Sequence, residues 1–249
     1  MGGASSKRLS ELEIEVKRLR GASINRPATP IHMENYAIYI ACDKYQFFED
    51  LKASVKDAEA LRMHLEPRYS TLGTLYNKQV TLLNILRLFD TCKDQIPHSR
   101  LVIFFAGHGY HMPNCGRSFF ACHESTSQNL IYTGLDLCMI KSFCDYFNSE
   151  HQLWLLDCCF SGSALRYRGL MSSPSIYIMS AGRSMQVAVE TDDHGVFTKY
   201  LLKHWTQGMS VTKLFSKVRH DVMVESQQIP MLGRVPKYRD KDAEGEMLI

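Results

Sequence analysis

This chain lacks a marked excess of charge of either sign. Twenty-nine Lys and Arg against 26 Asp and Glu leave a net charge of +3 over 249 residues. No basic stripe interleaved with aromatics occurs either, so the footprint of a nucleic-acid binder is missing. Long apolar runs are missing too. None approaches the roughly 18 residues of a membrane-spanning helix, and no secretory signal opens the sequence. No Gly-x-Gly-x-x-Gly follows the first apolar run, which leaves a dinucleotide domain unsupported. No Cys-x2-Cys pair accompanies Cys115, Cys122, His123 and Cys138, so these four lack the spacing of a zinc framework and no metal is expected. The 8 cysteines include the adjacent Cys158 and Cys159, and several sit in apolar runs. That is a poor disulfide framework, and a reduced, intracellular protein is expected.

What remains is an ordinary globular composition, 45% hydrophobic with Gly and Pro scattered evenly. A chain of this length buries a substantial single core, and one domain plus an extension is the simplest partition. Residues 1–32 form the extension and residues 33–249 the domain. Met1-Gly2-Gly3-Ala4-Ser5-Ser6 matches the Met-Gly-x-x-x-Ser/Thr acceptor pattern, with Gly2 as the amine for N-myristoylation. Behind it Leu9, Leu12, Val16 and Leu19 recur at helical spacing, and residues 1–26 carry six basic against three acidic side chains. One myristoyl chain holds a membrane only marginally, and a basic amphipathic segment supplies the second signal. The expectation is a lipid-anchored, peripheral protein on the cytosolic face of a membrane. A helix packed on the core, or a helical dimerisation stripe, reads from the same residues. Ala22 to Pro30 reads as a linker.

From Glu34 onward strand-like and helix-like segments alternate. Strands are predicted over Tyr36–Cys42, Lys78–Leu82, Arg100–Phe105, Ser118–Cys122, His151–Leu156 and Ser175–Met179. Helices are predicted over Ser54–Leu65, Leu83–Cys92, Asp136–Phe147, Val196–Trp205 and Val211–Val224. This alternation predicts a mostly parallel sheet with helices on both faces.

Two stretches carry chemistry: Phe104-Phe105-Ala106-Gly107-His108-Gly109 and Leu155-Leu156-Asp157-Cys158-Cys159-Phe160-Ser161-Gly162. Each closes a short, continuously apolar run of the kind that strands buried on both faces show. Parallel strands bring their C-terminal ends to one edge, where open α/β sheets hold their sites. A histidine and a cysteine delivered to that edge make a base and nucleophile pair. Glycines beside His108 permit a sharp turn and close approach, and the N–H groups of Gly109 and the nucleophile could face an oxyanion. Taken singly, a turn-capping His108 and a small buried Cys159 are the plainer readings; together the catalytic reading prevails.

At these residues the sequence resembles the caspase-like cysteine peptidases, in particular their metacaspase-like and bacterial caspase-homologue branch. Phe104 to Gly109 resembles the family's strand and His-Gly element. Asp157 to Gly162 resembles its Asp-Ser-Cys-His-Ser-Gly nucleophile motif, which makes Cys159 the nucleophile and Cys158 its neighbour. Lys56-Asp57-Ala58 is similar to its Asn-Asp-Ala helix start. Ser180-Ala181, Gln186, Glu190 and Gly195-Val196-Phe197-Thr198 resemble its second block, and Gln228-Ile229-Pro230 its closing one. Phe160 and Lys56 depart from the usual His and Asn.

The resemblance implies a three-layer α/β/α sandwich and a cysteine endopeptidase acting on proteins. Leu51 stands where caspases proper carry a pocket arginine. The family pattern then implies cleavage after Arg or Lys, with Asp57, Asp157 and nearby Ser180 forming the pocket. A charge in the first turn of a helix, for Asp57, and a turn cap, for Asp157, are the plainer alternatives. Arg166 and Arg168, in the loop after the nucleophile, fall where relatives cut themselves. Some relatives are activated by calcium, but Asp192-Asp193 is a thin substitute for an oxygen cage, and no cofactor is expected. The competing classes are a membrane-tethered scaffold without catalysis, and a hydrolase or acyltransferase using the same dyad on a small substrate.

Overall fold

The computed structural model describes residues 33–97, 99–159, 176–182, 194–235 and 247–249. Its central sheet has six strands: β1 (Glu34–Ala41), β2 (Ser70–Tyr76), β3 (Ser99–Gly107), β7 (His151–Cys158), β8 (Ile176–Ser180) and β9 (Met231–Val235). Their order is β2-β1-β3-β7-β8-β9, with every pair parallel except β8 and β9. A small antiparallel sheet of β4 (Gly109–Met112), β5 (Arg117–Phe120) and β6 (Leu135–Asp136) leaves the end of β3. The mixed α/β architecture with a mostly parallel sheet is the one the alternating pattern predicted.

The continuous apolar runs follow from burial on both faces. Along β3, Leu101, Ile103 and Phe105 point to one side, and Val102, Phe104 and Ala106 to the other. In β7, Trp154 and Leu156 join the first set, and Leu153 and Leu155 the second. Helices α2 (Leu82–Cys92) and α4 (Ile140–Tyr146) cover the first face through Ile85, Phe89, Ile140 and Phe143. A short helix, α3 (Leu130–Thr133), adds Leu130 to that side. The second face is covered by α1 (Ser54–Leu65), α5 (Val196–His204) and α6 (Val211–Ser226), through Ala58, Leu61, Phe197, Leu201, Leu214 and Val218. The result is three layers, helix on sheet on helix.

Several elements differ from the sequence prediction. The second strand is Ser70–Tyr76 rather than Lys78–Leu82, and residues 77–79 form a single tight turn. β2 is an edge strand whose residues are exposed or half-buried, so it carries no apolar run to find. Asn77 takes a left-handed conformation (φ 50°), and its side-chain oxygen accepts the N–H groups of Asp43 and Lys44. The predicted helix 136–147 begins at Ile140, because Asp136 belongs to β6 and accepts both the Cys138 N–H and the Arg117 guanidinium. β4, β6 and β9 were not anticipated; β4 is a short strand paired locally with its neighbour β5, β6 has only two residues, and β9 pairs antiparallel with β8, far earlier in the chain.

The Phe89 ring meets Phe105, Phe143, Phe147 and Trp154 edge-on, and Trp154 stacks on Phe105 at 6.2 Å. Trp154 is completely buried. Trp154→Ala is expected to cost about 3–5 kcal/mol in chemical denaturation through the cavity it leaves. Leu83→Ala, on a side chain 56% exposed, is expected to change stability by no more than about 0.5 kcal/mol.

Candidate active site

β3 and β7 lie side by side, and Gly107 is the register partner of Cys158. His108 and Cys159 are the next residue on each strand, so both leave the sheet at the same level of its C-terminal edge. Parallel pairing alone achieves this. Residues 51 apart in the chain become neighbours across one strand spacing.

Local packing explains the glycines flanking His108. Gly107 has φ +152°, and a Cβ there would meet the Tyr45 hydroxyl at 2.6 Å and the Phe120 ring at 3.1 Å. A Cβ on Gly109 would fall 1.7 Å from the carbonyl oxygen of Cys159 and 3.0 Å from its nitrogen. The segments after His108 and at Cys159 therefore touch backbone to backbone, and only glycine permits it. The two amides named as oxyanion donors, those of Gly109 and Cys159, belong to these touching segments.

His108 is held from three sides. Its backbone N–H donates to the Tyr45 hydroxyl at 2.8 Å. The Tyr45 and Phe48 rings pack on it at 4.8 and 5.8 Å. Its Nε2 lies 2.8 Å from the backbone carbonyl of Glu49. A carbonyl can only accept, so Nε2 carries a proton, and Nδ1 is the nitrogen whose protonation remains variable. Burial pushes the Tyr45 phenol well above its ordinary value, so it stays neutral. Neither Tyr45 nor Glu49 was singled out from sequence. Glu49 acts through its main chain, which no side-chain pattern can announce.

The neighbouring cysteines differ sharply. Cys158 is 1% exposed, and burial, followed by nearby Cys159 and Asp157, pushes its thiol well above the ordinary range. Cys159 is half-buried at the turn that ends β7. Cys42 and Cys122, close to the same edge, are also raised by burial, Cys42 to about 12. A reactive thiolate needs access and stabilisation of its charge, and Cys159 has the access. No cysteine is in a disulfide. Among the described residues, no group of three or more His, Cys, Asp or Glu is placed to hold a metal ion.

Asp57 and Asp157 converge. A Cβ on Gly195 would stand 3.0 Å from an oxygen of each carboxylate. Asp57 accepts the Gly195 N–H at 2.9 Å and meets His194 Nδ1 at 2.5 Å, while Asp157 accepts the Thr198 hydroxyl at 2.6 Å. Gly195 is the N-cap of α5. The two acids therefore face the positive end of that helix, which stabilises negative charge. Asp57 also sits in the first turn of α1, so its plainer reading and the convergence hold together. Ser180 is fully buried at the end of β8, and its hydroxyl donates to the Gly182 carbonyl at 3.1 Å. His194 was not anticipated; its neighbour Gly195 was the only signal in the sequence.

Gly2, Arg166 and Arg168 lie outside the described residues, as do Phe160, Gln186, Glu190, Asp192 and Asp193. Among the described residues no helix is long and apolar enough to cross a membrane.

A family model described as Caspase domain matches residues 34–239. No curated protein matches the chain by sequence. Among solved structures, the crystal structure of protein GSU0716 from Geobacter sulfurreducens superimposes with a TM-score of 0.63. The alignment has 13% identity and covers 82% of this chain and 94% of that one, which is a likeness of fold. With the family match running from β1 through β9, the chain belongs to the caspase-domain family of cysteine peptidases.

Proposed function

We propose that the protein is a cysteine endopeptidase that cleaves on the carboxyl side of Arg and Lys, with Cys159 as nucleophile and His108 as acid and base. The observation that carries the reading is the shared level of the two residues at the ends of paired strands, with Nε2 of His108 already committed to Glu49. His108 Nδ1 takes the thiol proton, and the Cys159 sulfur attacks the scissile carbonyl carbon. The oxygen that becomes negative is met by the Gly109 and Cys159 amides. Collapse of the tetrahedral intermediate breaks the C–N bond, and Nδ1 returns the proton to the leaving amine. Water, deprotonated by the same nitrogen, then hydrolyses the thioester and restores the thiol.

For specificity, the paired carboxylates of Asp57 and Asp157 favour a cationic side chain. Two acids converging in a desolvated site suit the planar, five-donor guanidinium better than the point charge of an ammonium. Ser180 stands at the end of the neighbouring strand β8 as a further wall of that pocket. Arg166 and Arg168 are the proposed self-cleavage positions, and no cofactor is needed for the chemistry. The membrane part of the proposal rests on sequence: a myristoyl group on Gly2 plus the basic segment behind it would tether the enzyme to a membrane surface facing the cytosol.

Cys159→Ala is expected to abolish peptide turnover, whereas Cys158→Ala keeps most of it; a chromogenic assay of both variants distinguishes them, and the reverse result would move the nucleophile by one residue. With reporter peptides, cleavage after Arg is expected to exceed that after Lys, with none after Asp. Asp157→Asn should raise KM for the Arg reporter by at least about tenfold, the loss of one charge-assisted pair. Preferential cleavage after Asp would defeat the pocket assignment. Gly2→Ala in a myristoylation-competent host is expected to shift the protein from the membrane pellet to the supernatant, and an unchanged distribution would remove the lipid anchor.

A further inference from the structure

Burying two carboxylates side by side is costly unless their charge is compensated. Asp57 is 2% and Asp157 8% exposed. The N-terminus of α5 compensates through the Gly195 N–H, the Thr198 hydroxyl helps Asp157, and His194 meets Asp57 directly. An ionised carboxylate only accepts, so the Nδ1 facing Asp57 carries a proton, and the ring is neutral or doubly protonated. The His194 side chain is 25% exposed, so it stands between the buried acid and solvent. Among the described residues, the titratable groups facing it include Asp57 from α1 and, across Gly195, Asp157 from β7. Lys199, the next cation along α5, turns instead to Glu225 of α6 at 2.7 Å.

We propose that His194 is a specificity-determining residue: its imidazolium occupies Asp57 in place of the substrate's basic side chain, and Arg or Lys enters as His194 releases its second proton. The inference rests on Asp57 and Asp157 being the pocket for that side chain. Binding is then an exchange of one cation for another. The proton leaves Nε2 for solvent, the guanidinium or ammonium pairs with the carboxylates, and the net charge of the site is unchanged. The empty site binds one more proton than the occupied one, so affinity rises with pH. An imidazole titrates near neutrality. While the imidazolium persists each unit of pH tightens binding by up to about tenfold, and once its second proton is lost the dependence is flat. A histidine that merely anchors the start of α5 would alter stability and leave this slope in place.

The test uses the full chain carrying Cys159→Ala, which binds without turnover, and a tetrapeptide amide ending in arginine. Calorimetric titrations run from about pH 5.5 to about pH 8.5, spanning the imidazole range, in two buffers of different ionisation heat. The expected result is a dissociation constant that falls with pH together with proton release, both lost when His194→Asn is added although the peptide still binds. His194→Gln serves as the second variant should the first fail to fold. A slope that survives either substitution overturns the proposal, as does binding that is independent of pH with His194 present. A peptide that binds at no pH defeats the basic pocket itself and the proposal with it; binding without pH dependence defeats the role of His194 alone.

Discussion

The parallel register of β3 against β7 is the constraint on which the arrangement of His108 and Cys159 depends. Gly107 faces Cys158, and the next residue on each strand turns out of the sheet at the same height. A slip of one residue would separate the two levels and also send every side chain of the slipped strand to the opposite face. Both faces are filled, by Ile103, Phe105 and Trp154 on one side and Val102, Phe104 and Leu155 on the other. The hydrophobic core thus enforces the register, and the register sets His108 beside Cys159.

Close backbone approach extends this control beyond the sheet. Gly109 lets the chain after His108 lie against Cys159, and Gly107 makes room for Tyr45. Tyr45 and Phe48 then wedge the imidazole, and the Glu49 carbonyl selects which nitrogen is protonated. A rigid pair of strands supplies position, and the segment after β1 supplies orientation. Its own course is steadied by Asn77, whose side chain accepts two of its amides.

The second organising element is the N-terminus of α5. It gathers Asp57 from α1 and Asp157 from β7, and its dipole offsets part of their mutual repulsion. Thr198 and His194 complete the compensation. An acidic site built this way draws its compensation from backbone amide, hydroxyl and imidazole donors, and the imidazole stands at its edge.

Much of this was legible in the residue order. The runs Leu101–Phe105 and Leu153–Leu156 announced strands buried on both faces, and the motifs that end them announced the family. Helix Ser54–Leu65 was predicted with the bounds observed, because its apolar face repeats cleanly. The edge strand Ser70–Tyr76 was misplaced, since exposed or half-buried residues such as Thr71, Gly73 and Thr74 leave no hydrophobic period to find. The meeting of His194 with Asp57 spans 137 positions, and the carbonyl of Glu49 carries no sequence signature at all. The sequence by itself determined which segments must be buried and which residues bear chemistry, because both follow from side-chain type and local period. Only the tertiary structure decided which of those residues face one another, because that depends on strand register, backbone contact and a helix terminus assembled from distant parts of the chain.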